Sequence, residues 1–177
     1  AVALLINSPG GSPVQSHLIY RRIRQLAAEN ERPVIAFAED VAASGGYWIA
    51  MAADEVIADP ATVTGSIGVF AILPTADRVA DKLGVRTAGV TTTWLADAYH
   101  PLRPLDPRFG QLVQSSINHV YNEFTTKAAL ARKTTPQKID AVGQGRVWTG
   151  VQAKEHGLVD RLGSYGDALK SAAVRAK

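Results

Sequence analysis

The chain contains no cysteine in 177 residues. Disulfides, thiol catalysis and cysteine-type zinc sites are excluded at once. It also lacks any apolar run approaching the ~20 residues that a membrane-spanning helix requires. Neither sign of charge dominates, with 19 basic and 16 acidic residues and a net charge of +3. The basic residues are scattered, as in Arg21-Arg22-Ile23-Arg24 and Arg132-Lys133, and read as solvated helix faces rather than a nucleic-acid surface. No internal repeat and no low-complexity linker interrupts the chain. What remains is the composition of an ordinary globular domain, 46% hydrophobic and 20% charged. Its length suffices for one domain with a substantial core. The chain opens inside an expected strand, Ala1-Val2-Ala3-Leu4-Leu5-Ile6, so we expect a segment of a longer protein whose upstream part and anchor lie elsewhere.

Strands alternate with helices along the sequence. Residues 2–6 and Val34–Ala38 are short apolar runs bounded by turn residues, the pattern of buried strands. Between them Ser12-Pro13-Val14-Gln15 predicts a helix start: serine caps, proline takes the first helical position and glutamine completes a capping box. Val14, Leu18, Ile19, Ile23, Leu26 and Ala27 form its expected apolar stripe. A small-residue helix from Ser44 to about Ala53 and a strand at Glu55–Ala58 follow. Ala61–Gly65 reads as a loop, Ile67–Leu73 as a fourth strand, Thr75–Leu83 as a helix stopped by Gly84, and Val85–Thr92 as a fifth strand. Thr93–Leu105 has no clear period and is long enough to suggest a functional or interface loop. The longest helix opens at Asp106-Pro107, with Phe109, Val113, Ile117, Val120, Tyr121, Phe124 and Ala128 on its core face, more apolar bulk than a small sheet needs. A short helix from Thr135-Pro136, a strand at Arg146–Trp148, a helix capped by Thr149 and a last helix at Tyr165–Ala176 complete the chain. This alternation predicts an α/β domain with a largely parallel sheet.

Two glycine turns carry the chemistry. Asn7-Ser8-Pro9-Gly10-Gly11-Ser12 and Val41-Ala42-Ala43-Ser44-Gly45-Gly46-Tyr47 each lie between a strand and a helix, where they can face each other across neighbouring strand ends. A serine nucleophile needs exposure, a base and donors for the oxyanion. Gly45 offers an unobstructed N–H at a helix start, Gly11 offers a second, and Gly10 leaves room for a carbonyl to approach. Each such donor is worth roughly 3–4 kcal/mol in a transition state. From these residues alone Ser44 is either a nucleophile or an N-cap that starts a helix. The base is missing. His17, His119 and His156 fall on expected helices, and His100, on the irregular loop, is the one local candidate; the seven lysines fall on polar helix faces or at the C-terminus, and none reads as partly buried, as a catalytic lysine has to be.

The ordered set Ile6-Asn7-Ser8-Pro9-Gly10-Gly11, Ala42-Ala43-Ser44-Gly45-Gly46-Tyr47 and Thr64-Gly65-Ser66-Ile67-Gly68-Val69 resembles the signal peptide peptidase A family of Ser/Lys endopeptidases. The tail Gly145-Arg146-Val147-Trp148-Thr149-Gly150, with Gly157-Leu158-Val159-Asp160-Arg161-Leu162-Gly163, is similar to the same family. The resemblance spans the whole chain. It implies a Clp-protease/crotonase-like fold across a single domain, residues 1–177, and a serine endopeptidase with no cofactor and no metal. By position Ser44 is then the nucleophile, the Gly11 and Gly45 amides are the oxyanion hole, and Ser66 orients the lysine. Gly10, Ala42, Ala43, Ile67 and Val69 would line the substrate path, with peptide added to the strand Ile67–Leu73 or to the backbone near Gly10–Gly11.

One departure sharpens the expectation. Where short members of the family carry the catalytic lysine, this chain reads Thr91-Thr92-Thr93-Trp94-Leu95-Ala96-Asp97-Ala98-Tyr99-His100. Long members hold the serine in a C-terminal repeat and the lysine in an N-terminal one, and this chain is similar to such a C-terminal repeat. The resemblance therefore implies a lysine supplied by an N-terminal repeat, a homo-oligomeric ring, remnant signal peptides and unfolded segments as substrates, and a place at the bacterial inner membrane facing the periplasm. Val69 stands where the Clp peptidases place a histidine, which disfavours their triad. A non-catalytic peptide-binding or ring-forming scaffold, and a phage or short-form processing peptidase, are the alternatives.

Overall fold

The computed structural model of the chain describes residues 1–176; Lys177, one of the lysines weighed above, lies outside the described residues. The elements run β1 (Val2–Ser8), α1 (Pro13–Glu29), β2 (Val34–Ala43), α2 (Gly45–Ala50), β3 (Glu55–Ala58), β4 (Val63–Gly65), α3 (Asp77–Lys82), a 3-10 turn (Trp94–Asp97), α4 (Pro107–Ala131), α5 (Pro136–Val142), β5 (Val147–Thr149), α6 (Gly150–Glu155), β6 (Arg161–Leu162) and α7 (Tyr165–Arg175). They form two compact units, Ala1–Val69 with Tyr121–Lys177, and Phe70–Val120.

The first unit is built on β2. This strand pairs in parallel with β1, and on its remaining edge with β3 through Ile35–Ala38 and then with β4 through Val41–Ala43. β6 extends the sheet beyond β3 in parallel, while β5 joins β4 antiparallel. The sheet is thus largely parallel, as expected, with one antiparallel edge. The change of partner leaves residues 39–40 of β2 outside both ladders, where the Thr62 hydroxyl reaches in, while Thr64 adds a side-chain bond within the β2–β4 pairing. Thr62 Oγ1 donates to the carbonyls of Ala38 and Glu39, and Thr64 Oγ1 donates 2.7 Å to the Ala42 carbonyl. Both threonines are fully buried, and only such side-chain donors let their segment pass through the core.

Side-chain alternation along β2 divides the core between two faces. Ile35 and Phe37 pack with Ile57 of β3 against Ala168 and Ala172 of α7. Elsewhere in the core Trp48 of α2 meets Phe124 of α4 with ring centroids 4.6 Å apart. Tyr47 is fully buried, and its hydroxyl donates 2.8 Å to the Leu158 carbonyl. Burial pushes that phenol up to about 12.

Local signals set most element ends. Ser12 caps α1 by accepting the Gln15 N–H, with Pro13 behind it, although the reciprocal half of the expected box is not made among the described residues. Complete capping boxes open α6 (Thr149 with Gln152) and α7 (Ser164 with Asp167). The apolar stripe expected on α1 does not form its buried face. Val14, Leu18, Ile19 and Leu26 are exposed, and Ser16 is the buried residue of the helix. The α4 stripe holds in its last turns, where Phe124 and Ala128 are buried.

The second unit contains α3, the 3-10 turn and the start of α4. The expected strands Ile67–Leu73 and Val85–Thr92 do not form; neither finds a ladder partner among the described residues, and Phe70 and Ile72 are exposed. Irregular segments are tied instead by single contacts. Tyr99 donates 2.8 Å to the Pro74 carbonyl and stacks on Phe109, Ala76 N–H donates to Pro101, and the Arg108 guanidinium lies over Trp94.

Candidate active site

Ser44 follows the last residue of β2 and precedes α2. Its backbone has φ 52° and ψ −119°, a conformation that costs a non-glycine residue roughly 1–3 kcal/mol. Two hydrogen bonds hold it there. Its N–H donates 2.9 Å to the Gly65 carbonyl, and its own carbonyl accepts the Trp48 N–H that starts α2. Ser44 occupies the N-cap position of α2, yet its side chain makes no capping bond. The hydroxyl is half-buried and not committed to the helix.

The two glycine turns meet. Gly10 has φ 112°, and a Cβ there would lie 2.7 Å from Ser44 Cβ and 2.8 Å from the Gly45 nitrogen. A Cβ on Gly45 would lie 3.2 Å from the Gly11 nitrogen and would collide with Ser16 Oγ. Gly46 is likewise closed against the Ser8 carbonyl. Gly45 is buried, and neither its N–H nor that of Gly11 finds an acceptor among the described residues. A buried amide without an acceptor is rare and marks a place where something else is to bind. A hydroxyl, two free amides and side-chain-free walls between them are the components of acyl transfer.

A third turn joins them. Gly65 (φ 80°) supplies the carbonyl that holds Ser44, and Ser66, at φ 51°, is the next residue. Ala42, Ala43 and Ile67 are buried, whereas Gly10 and Val69 are half-buried.

The bases expected to be absent can now be placed one by one. His100 Nδ1 accepts the Leu102 N–H inside its own loop. His119 and His156 are exposed, the latter against Trp148. His17 is not a surface residue: it packs edge-on to Trp48, and its buried Nδ1 lies 3.4 Å from Glu123 Oε1. Lys127 is half-buried but pairs with Glu123 at 3.3 Å and lies over the Tyr20 ring. Lys82, Lys133, Lys138, Lys154 and Lys170 are exposed. Among the described residues no three His, Asp or Glu side chains come together as a metal ion would require. Sequence reasoning missed Ser16, whose small buried side chain is what permits α1 to approach Gly45 closely; nothing in the apolar periodicity of α1 signals it.

Comparison with known proteins gives this geometry a family. The chain is 44% identical over its whole length to Protease 4 of Salmonella typhi, of which it covers 28%. It is 40% identical, over 99% of its length, to the chloroplastic serine protease SPPA of Arabidopsis thaliana, covering 26% of that protein. It therefore spans little more than a quarter of these relatives. Among solved structures, a point mutant of ClpP1 from Listeria monocytogenes superposes with a TM-score of 0.61 at 17% identity, covering 94% of this chain and 75% of that one. The fold is thus the expected Clp-protease fold. Residues 27–177, Ser44 and the Ser66 turn included, match peptidase family S49, and the chain belongs to that family.

Proposed function

We propose that this chain is the serine-bearing part of a serine endopeptidase that works through an acyl-enzyme. Ser44 is the nucleophile. A neutral lysine from outside these residues takes the Ser44 proton as the oxygen attacks a peptide carbonyl, and the Gly11 and Gly45 amides stabilise the resulting oxyanion. The lysine then passes its proton to the leaving amine as the C–N bond breaks. Water attacks the ester, and Ser44 regains its proton. Ser66 holds the lysine in line, as a third group does in other nucleophile–base pairs. Substrate lies extended along Gly10 and the backbone of Ala42, Ala43, Ile67 and Val69.

One observation carries this reading: the N–H of buried Gly45 has no acceptor among the described residues, and a Cβ on Gly45 would lie 3.2 Å from the Gly11 nitrogen, at a serine held in strained backbone and not used as a cap. Remnant signal peptides and unfolded segments at the membrane are the proposed substrates. An N-terminal repeat is the proposed source of the lysine, and a homo-oligomeric ring the assembly. No helix among the described residues is long and apolar enough to cross a membrane. Peptide turnover by residues 1–177 alone tests the split arrangement. The expected result is little or none. Robust turnover abolished by Ser44→Ala would overturn the external lysine and return attention to His100.

The lack of an available base among the described residues also favours a second reading, a peptide-binding scaffold without catalysis. Failure of a fluorophosphonate to modify Ser44 in the intact protein would support it.

A further inference from the structure

The motif Gly145-Arg146-Val147-Trp148 has no part in the chemistry above, yet its residues are hydrogen-bonded to the Ser66 turn. The Ser66 N–H donates 2.8 Å to the Arg146 carbonyl, and the Gly145 N–H donates 2.9 Å to the Ile67 carbonyl. These bonds lie just beyond the end of the β4–β5 ladder, in which Gly65 pairs with Val147 and Thr64 with Trp148. Gly68 and Gly145 are so close that a Cβ on Gly68 would lie 2.6 Å from the Gly145 Cα. The segment that grips Ser66 turns through two successive positive-φ residues, Gln144 at φ 59°, where a side chain is strained, and Gly145 at φ 77°, which glycine adopts freely.

Two side chains hold that strained segment. Arg146 folds back over the end of α5, its Nε donating 3.0 Å to the Gly143 carbonyl and its NH2 group 2.8 Å to that of Ala141. Tyr121 uses its hydroxyl twice: it donates 2.6 Å to Asp140 Oδ1 and accepts the Gln144 N–H at 3.1 Å. Burial and the Asp140 carboxylate both push the Tyr121 phenol up, which keeps it a donor. Left to itself, a serine at φ 51° relaxes toward an ordinary backbone conformation.

We propose that Arg146 and Tyr121 are positioning residues: they fix the 143–146 turn, which clamps Ser66 in its strained backbone and, through Gly65, Ser44 in its own. The inference rests on the peptidase reading for its effect on rate, but not for its effect on the backbone. Neither side chain belongs to the substrate path proposed above, so kcat is expected to fall and KM to stay.

The test uses the intact protein with Tyr121→Phe, Arg146→Gln and Arg146→Lys. Amide exchange at Ser66 and Gly145 is expected to quicken about tenfold or more in Tyr121→Phe and Arg146→Gln. Peptide hydrolysis is expected to lose about tenfold to a hundredfold in kcat with KM little changed. Arg146→Lys recovers part of the loss, since an ammonium reaches one carbonyl but not the pair. In a Ser66→Gly background, where φ near 50° carries no strain and no hydroxyl remains to be aimed, the same substitutions cost little further kcat. Unchanged exchange at Ser66 overturns the clamp outright. Losses that persist in full in the Ser66→Gly background reduce Tyr121 and Arg146 to general stabilisers. If the wild-type protein hydrolyses no peptide and its Ser44 resists a fluorophosphonate, the peptidase reading falls, and the exchange measurement still decides the clamp.

Discussion

Ser44 is held in a backbone conformation that a serine does not choose. Relief of that strain is a measurable consequence: Ser44→Gly is expected to be about 1 kcal/mol more stable than Ser44→Ala. Thermal melts should show Ser44→Gly about 2–4 °C higher; equal melting temperatures would mean the strain is absent. The neighbouring glycines separate two effects in the same way. Gly10→Ala and Gly11→Ala both meet a positive φ, 112° and 144°, but only Gly10→Ala also meets the Ser44 Cβ; Gly11→Ala meets no atom within 4 Å. Gly10→Ala should therefore be the more damaging to stability and to Ser44 reactivity, as melts and labelling rates can compare. At this scale the sequence was informative about residue types. Glycine and serine at a strand-to-helix turn point to free amides and a hydroxyl whatever the fold. It was silent on Ser16, whose significance comes from the close approach of α1 to Gly45 and from no local pattern.

Among the elements, legibility followed the length of the hydrophobic signal. The runs Val34–Ala38 and Glu55–Ala58 were readable as buried strands because they are short and apolar and bounded by turn residues, and the long α4 helix because its stripe repeats over many turns. β4 was read as a loop. It is three residues long, and its place in the sheet is secured by buried threonine hydroxyls rather than by apolar alternation. Thr64→Val should cost about 0.5–1.5 kcal/mol despite its similar shape, because the buried hydroxyl's hydrogen bond to the Ala42 carbonyl is lost; a neutral result in denaturant unfolding would contradict the role given to Thr64. The opposite error fell on Ile67–Leu73, an apolar run that finds no ladder partner among the described residues.

α7 is fastened to the sheet by Glu55. Ser171 donates to its carboxylate, and Arg161 and Arg175 pair with it at 2.8 and 3.2 Å. Burial raises the Glu55 carboxyl, but the hydrogen bonds from Ser171 and Arg161 and the charges of both arginines outweigh it and hold the group below its ordinary value. A carboxyl held low in the folded state stabilises above its unfolded pKa, and that contribution is lost as pH falls through the folded pKa. The stability gap between wild type and Glu55→Gln should accordingly be widest near neutrality and close in acid; a gap independent of pH would mean Glu55 acts through packing alone.

For the molecule as a whole, the fold class and family were legible because several short motifs occur in order along nearly the entire chain, although each alone is common. Apart from His100, the sequence also offers no lysine or histidine at a position expected to serve Ser44 as a base. The structure sharpens that absence by occupying the remaining candidates: Lys127 with Glu123, His17 against Trp48, His100 within its own loop. The account's central claim is that Ser44 is a nucleophile completed from outside these residues. Its most direct test is fluorophosphonate labelling of the intact protein, with the adduct located by peptide mapping. The account predicts a single adduct on Ser44, lost in Ser44→Ala and absent from residues 1–177 alone. An unlabelled Ser44 in the intact protein, or full labelling of the isolated segment, would contradict it.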